Sequence, residues 1–401
     1  MWPDDTWLGD VRLVLRDRVV PRGAVRVEGG VVAEVVEGTA RGAVTSGEGL
    51  TLMPGIVDLH GDMIEKEVEP RPDCDFPLDV AVLNLDARLA AAGVTTAFAG
   101  VSFAEGKRGP RSEDRARATV EAVARAKPRA RVDLRVHARF EITNPRAEPI
   151  LRDLLERGMV DMVSLTDHTP GQGQYRDVEQ YVAYASRTSG ATPEEAAARA
   201  ARRMAAPPAW EVAQRVTELA RAQGLPIASH DDDTPAKVAL MRGLGATISE
   251  FPVTLEGARA AREHGMATLM GAPNALRGRS MTGNVTARDV LEAGLLDALA
   301  ADYHQGAMLP AVVAWVREGR VPLHAAVALL TCNPADAAGL RDRGEIAVGR
   351  RADLMLVDVS DAPGAEGDAP PPRVRAVWRE GRMIHSDGWA APAAASLAVA
   401  A

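Results

Sequence analysis

What this sequence lacks narrows the field first. It has two cysteines, Cys74 and Cys332, in 401 residues. That is too few for a disulfide framework and suits a reducing cytoplasm. Positive charge is not in excess: 47 Lys and Arg stand against 55 Asp and Glu, a formal net charge of −8. Such a balance favours solubility and leaves no basic footprint for nucleic acid. No apolar run reaches the roughly 20 residues that a membrane span needs. The opening MWPDDTW has neither a basic nor an apolar segment, so it does not read as a signal peptide. What is present is ordinary for a globular chain, 46% hydrophobic and 25% charged. The length accommodates a barrel of roughly 250 residues and about 150 more for insertions and a second unit.

Both ends carry short alternating runs. They are VRLVLRD, AVRVEGG, VVAEVVEG and LTLMPG within 10–53, then ADLMLVDV (352–359) and VRAVWREGRMIH (374–385). Period-two alternation with glycine punctuation marks strands, and neither end holds enough to bury a core alone. The sequence therefore predicts one small β-sandwich-like domain built from residues 1–53 and 345–401, with 54–344 inserted as the main domain. The closing APAAASLAVAA reads as a disordered low-complexity tail.

Between the ends lie eight apolar runs that finish in polar residues. They are GIVDLH (55–60), VTTAFAGV (94–101), RVDLRVHARFEI (131–142), VDMVSLTDH (160–168), PIASHDD (226–232), ATISEFP (246–252), ATLMGAP (267–273) and LDALAADY (296–303). Helix-like stretches such as LDVAVLNLDARLAAAG (78–93) separate most of them. Strand–helix alternation implies a parallel sheet, and eight repeats imply closure: an α/β fold of the (β/α)8 TIM-barrel type. The longest insertion, 170–209, follows a strand's C-terminal end and would overhang the reactive face.

In such barrels the chemistry gathers at the C-terminal strand tips. Strand one ends His60-Gly61-Asp62, and residues two apart in an extended chain share a face. Strand three carries His137, Arg139 and Glu141, strand four ends at His168, strand five at His230-Asp231-Asp232, and strand eight at Asp302. A single histidine at a strand end is more often a packing residue. Recurrence at several tips is what points to a mixed nitrogen and oxygen ligand set, suited to Zn²⁺ with Mn²⁺ or Fe²⁺ as alternatives. The candidate ligands are His60, Asp62, Glu141, His168, His230 and Asp302. His137 sits low and reads as a satisfied core histidine. His264 reads as a helix C-terminal residue, and His324 and His385 lie away from the tips.

LMPGIVDLHGD, GVTT (93–96), and TCNPADAAGL followed by GEIAVGRRADLMLVD resemble the amidohydrolase superfamily along nearly the whole chain. Within it, HGDMIEKEVEPRP (60–72), SLTDHTPGQGQY (164–175), ASHDDDT (228–234), SEFPVTLEGA (249–258) and MGAPNALRGRSMTGN (270–284) resemble the PhnM-type branch. Its members are diphosphatases of α-D-ribose 1-methylphosphonate 5-triphosphate in phosphonate catabolism. The resemblance implies a metal-dependent hydrolase that releases diphosphate and leaves the 5-phosphate. It implies one or two divalent ions, Glu141 bridging if there are two, and Asp302 as general base. Lys66, Arg71, Arg139, Asn274, Arg277, Arg279 and Asn284 are the expected substrate contacts. Arg277 stands foremost, in a glycine-rich segment after strand seven, near the usual barrel phosphate region. The expected partner is a small phosphorylated molecule, with no nucleic acid or membrane, and a homodimer is compatible.

Two departures from these patterns stand out. His60-Gly61-Asp62 replaces the superfamily's His-x-His and resembles the branch's own His-x-Asp start. Asp302-Tyr303-His304-Gln305 stands where the branch carries Asp-Tyr-Tyr-Pro. The superfamily's histidine ligands also come from strands five and six, whereas the count here gives four and five. Other readings are an amidohydrolase attacking a C–N bond and an inactive scaffold, the latter disfavoured by ligand types at every expected tip.

Overall fold

A computed structural model describes residues 7–71, 74–104, 112–189, 191–280, 282–359 and 369–389. The tail at 391–401 and most of the opening MWPDDTW lie outside them. Each of the eight predicted runs holds one strand: β1 (Ile56–Gly61), β2 (Val94–Phe103), β3 (Asp133–Glu141), β4 (Met162–Thr166), β5 (Ile227–His230), β6 (Ile248–Glu250), β7 (Ala267–Gly271) and β8 (Ala298–Ala300). They pair in parallel in chain order. All ten residues of β2 are buried, as expected for a strand covered on both faces in a parallel sheet. Val57, Leu59, Phe98, Met162, Ile248 and Leu269 fill one apolar cluster, while the opposite strand faces join the helices in the largest core.

The seam between β8 and β1 is a single parallel bridge, Gly61 to Asp302. There the Asp302 amide donates to the His60 carbonyl at 2.8 Å, and the Asp62 amide to the Asp302 carbonyl at 2.7 Å. Short connections keep the tips in place. Thr234 and Thr254 follow β5 and β6 closely and cap the helices Pro235–Gly243 and Leu255–Glu263 through their hydroxyls, which satisfies first-turn amides.

The two chain ends share a second, mixed sheet of eight strands. Thr51–Pro54 pairs antiparallel with Leu354–Asp358 and so joins the N-terminal half to the C-terminal half. Leu13, Val25, Leu52, Leu354, Leu356 and Trp378 form its core, each large apolar side chain contributing about 1.5–3 kcal/mol. The chain steps from this sheet into β1 through Gly55. A Cβ there would lie 2.3 Å from the Thr95 side chain, so the Pro-Gly turn is a steric requirement.

Candidate active site

The tips are bent toward the mouth by the backbone itself. Asp231, Phe251 and Asp302, just beyond β5, β6 and β8, have φ of 56°, 52° and 54°. Left-handed conformations of this kind cost non-glycine residues of order 1–3 kcal/mol each. They are three of the six such residues among those described.

An inner cluster lies below the tips. His60 from β1, His137 from β3 and Glu250 from β6 are all fully buried. Glu250 Oε1 is 3.2 Å from His60 Nδ1 and 3.5 Å from His137 Nε2. Glu250 Oε2 accepts from Ser164 Oγ at 2.9 Å and lies 3.4 Å from His230 Nδ1. Among the described residues, neither ring nitrogen of His60 or His137 has a hydrogen-bond partner, nor does Glu250 Oε1. Buried polar atoms are normally bonded, so this converging set of orphaned donor atoms fits a divalent cation. His137 is buried, as expected, but it is not satisfied. Burial favours a neutral Glu250, yet His137 and His60 hold its carboxyl well below the usual range. Burial pushes His137 down to about 3. His60 goes the other way: burial opposes its charge, but Glu250 and Asp62 raise it to about 10.

An outer cluster faces the cavity: His168, His230 and Asp231 offer atoms within 4.8 Å of one another. His168 Nδ1 lies 2.7 Å from Glu141 Oε2, and its amide donates to Glu141 Oε1 at 3.2 Å. Glu141, expected as a bridging ligand, therefore stands behind His168, fixing the ring and leaving Nε2 as the available donor. Asp62 takes Arg139, whose Nη1 donates to its two oxygens at 2.6 and 2.7 Å. Arg139 is buried and belongs to the floor, with Nη1 on Asp62 and Nη2 3.5 Å from His230 Nε2. Burial, then the neighbouring charge of Asp62, raises Asp302 to about 7. Below it the buried Asp58 accepts from the Ala301 and His60 amides at 2.9 and 3.2 Å and is raised by burial to about 6.

Above the floor opens a cavity of about 900 Å³ lined by Asp62, Glu141, His168, His230 and Asp302. All seven expected substrate contacts line it: Lys66, Arg71, Arg139, Asn274, Arg277, Arg279 and Asn284. Asn274 and Arg277 sit on a short helix, Ala272–Arg277, ended by Gly278 at φ 65°. Arg277 Nη1 donates to Tyr303 Oη at 3.4 Å. The two asparagines also hold backbone: Asn274 Oδ1 accepts from the Ala287 amide, and Asn284 Nδ2 donates to the Gln174 carbonyl at 3.1 Å. The sequence reading did not single out Glu250, Asp231, Tyr175, Tyr181, Tyr184, Arg199 or Arg203. Glu250 was findable, because it ends β6 as His230 ends β5. The strand count stands: His168 and His230 follow from β4 and β5, and β6 contributes a carboxylate.

The amidohydrolase family pattern matches residues 51–384. A curated relative, the α-D-ribose 1-methylphosphonate 5-triphosphate diphosphatase of Escherichia coli (strain K12), is 36% identical over 384 residues, covering 94% of this chain and 99% of its own. Among solved structures, a 5-methylcytosine deaminase from Klebsiella pneumoniae liganded with 5-fluorocytosine matches with a TM-score of 0.65 at 16% identity, over 95% and 97% of the two chains. An N-acetyl-D-glucosamine-6-phosphate deacetylase from Mycobacterium smegmatis matches with a TM-score of 0.63 at 16% identity, over 95% and 100%. At such identities the two structures speak for the fold alone. The sequence relative and the family pattern together span the barrel and its terminal sheet, and the chain belongs to the amidohydrolase family.

Proposed function

We propose that this protein is a Zn²⁺-dependent hydrolase that cleaves α-D-ribose 1-methylphosphonate 5-triphosphate to the 5-phosphate and diphosphate. One observation carries the reading. A chain 36% identical along nearly its whole length to a diphosphatase of that substrate has a histidine and carboxylate floor beneath a cavity walled by cations. Water supplies the oxygen, the bond between the first and second phosphates breaks, and diphosphate departs.

His60, His137 and Glu250 would hold one ion, and His168, His230 and Asp231 a second, with Asp62 alongside. A divalent cation held there supplies the charge that polarises water and phosphate oxygens. Asp302 accepts the proton of the attacking water. Its backbone pairing with His60 and Asp62 holds it in place, and a cation beside it would keep its carboxyl ionised at neutral pH. Glu141 orients His168, and Arg139 keeps Asp62 oriented. Lys66, Arg71, Arg277 and Arg279 neutralise charge on the polyphosphate, the arginines in bidentate fashion. No described helix is long and apolar enough to cross a membrane. The test incubates metal-loaded protein with the ribosyl triphosphate and with nucleoside triphosphates and assays diphosphate. Release with a clear preference for the ribosyl compound is expected; no diphosphate from any triphosphate, with metal bound, overturns the reading.

A further inference from the structure

The cavity has a second cationic wall. After β4, residues 170–209 form two helices, Val178–Ser189 and Pro193–Ala205. The second starts on a capping box between Thr192 and Glu195. Its Ala196 and Ala200 bury against Tyr175, Tyr181 and Ala185. Side chains three and four residues on share a helix face, so Arg199 and Arg203 come to the same cavity. Neither arginine forms a salt bridge among the described residues, though Arg203 lies near enough to Glu141 to help hold its carboxyl down. Like charges at this spacing repel, which an anion between them would relieve. Beside them Tyr175 contacts Tyr181 and Tyr184 at ring-centroid distances of 5.5 and 5.4 Å.

In the ring of eight strands, β3 and β4 stand across from β7 and β8, and the start of the insertion after β4 reaches over the mouth to Asn284 through Gln174. The β7 side offers Arg277 and Arg279 among polar neighbours such as Asn274 and Ser280. Hydrolysis of a triphosphate ester yields two anionic fragments, so cations are needed on both sides of the centre. The β7 side also holds one tyrosine, Tyr303, which accepts from Arg277 at 3.4 Å, against three tyrosines beside Arg199 and Arg203. A wall that combines arginines with tyrosine rings suits a fragment with a carbon body and an anionic group beyond it.

Resting on the hydrolysis proposed above, we infer that Arg199 and Arg203 form a subsite for the anionic group on the uncleaved end of the substrate, a phosphonate or phosphate ester. The pair makes the enzyme prefer triphosphates that carry such a group over those that lack it. The test uses the metal-loaded full chain, as wild type, R199Q/R203Q and R199K/R203K. It compares α-D-ribose 1-methylphosphonate 5-triphosphate with ribose 5-triphosphate by diphosphate release, and the two corresponding 5-phosphates by calorimetric binding. The wild type should favour the phosphonate-bearing member of each pair by about 100-fold, as two hydrogen bonds to a charged group would give. The glutamine variant should bring both ratios to within about threefold of unity, and the lysine variant should restore part of the preference. A ratio near unity in the wild type, or one the glutamine variant leaves intact while both rates fall together, overturns the inference. If the wild type hydrolyses neither triphosphate but the binding ratio holds and collapses in the variant, the subsite stands and the hydrolytic reading falls.

Discussion

The inner and outer histidine clusters draw on the same residue types and differ in what already surrounds them. In the inner one, a single carboxylate, Glu250, faces His60, His137 and His230, and the ring nitrogens of His60 and His137 have no hydrogen-bond partner among the described residues. In the outer one, His168 is partly exposed and already oriented by Glu141. The inner cluster leaves buried polar atoms unsatisfied, so a cation held there would stabilise the fold as well as serve the chemistry. The outer cluster is preorganised and reachable, as a group that meets substrate must be.

Removing the charge at the centre of the inner cluster should have the largest effect. Glu250→Gln leaves His60 without its main counter-charge, and breaking a buried pair costs about 3–5 kcal/mol. Metal content should fall below half of wild type, and the melting temperature should drop even without added metal. A variant that keeps its metal and its stability would reduce the inner cluster to packing. Asp302→Asn should lower kcat by about 10³-fold while metal content, read by elemental analysis, is unchanged. Turnover retained in that variant places the base elsewhere. Glu141→Gln should cost less, about 10–100-fold in activity or metal affinity. An effect matching that of Glu250→Gln would erase the distinction between the clusters.

A pH profile sharpens the same contrast. Burial and Asp62 raise Asp302 to about 7, and a base works only when ionised, so kcat/KM should fall as pH drops through that value. A nearby cation favours the ionised form and moves the midpoint down. The acid limb should therefore lie at or below pH 7 and vanish from the residual rate of Asp302→Asn. A limb that persists in that variant belongs to another group. The smallest effect is expected at the roof. Asn284→Ala removes the hydrogen bond to the Gln174 carbonyl, worth about 1 kcal/mol. KM should rise about fivefold with kcat nearly unchanged, and a collapse in kcat would place Asn284 on the reacting groups.

Most of the fold was legible because it is written locally. Each barrel strand is an apolar run with its own polar tip, and the terminal strands alternate with period two. The polar tip residues that meet at the cavity were legible for the same reason. What escaped depends on neighbours that only the closed ring creates. Glu250 reads as a charge at the end of a short strand until β1 and β3 bring His60 and His137 beside it. His137 looked too low to matter because it lies four residues before Glu141, and the inner cluster occupies that lower layer. Arg139 looked free to bind substrate, but its partner Asp62 is 77 positions away. The Ala and Arg composition of 193–205 could not say which helix face meets the cavity.

The seam between β8 and β1 gives the barrel a built-in checkpoint. Ala301 donates to Asp58, 243 positions earlier in the chain, and the adjoining Asp302 and Gly61 form the bridge that closes the ring. Before that bridge forms, His60 and Asp62 on β1 and Asp302 after β8 belong to the two edges of the sheet. If Asp302 is the base proposed above, the site is complete only once the last strand has closed the ring.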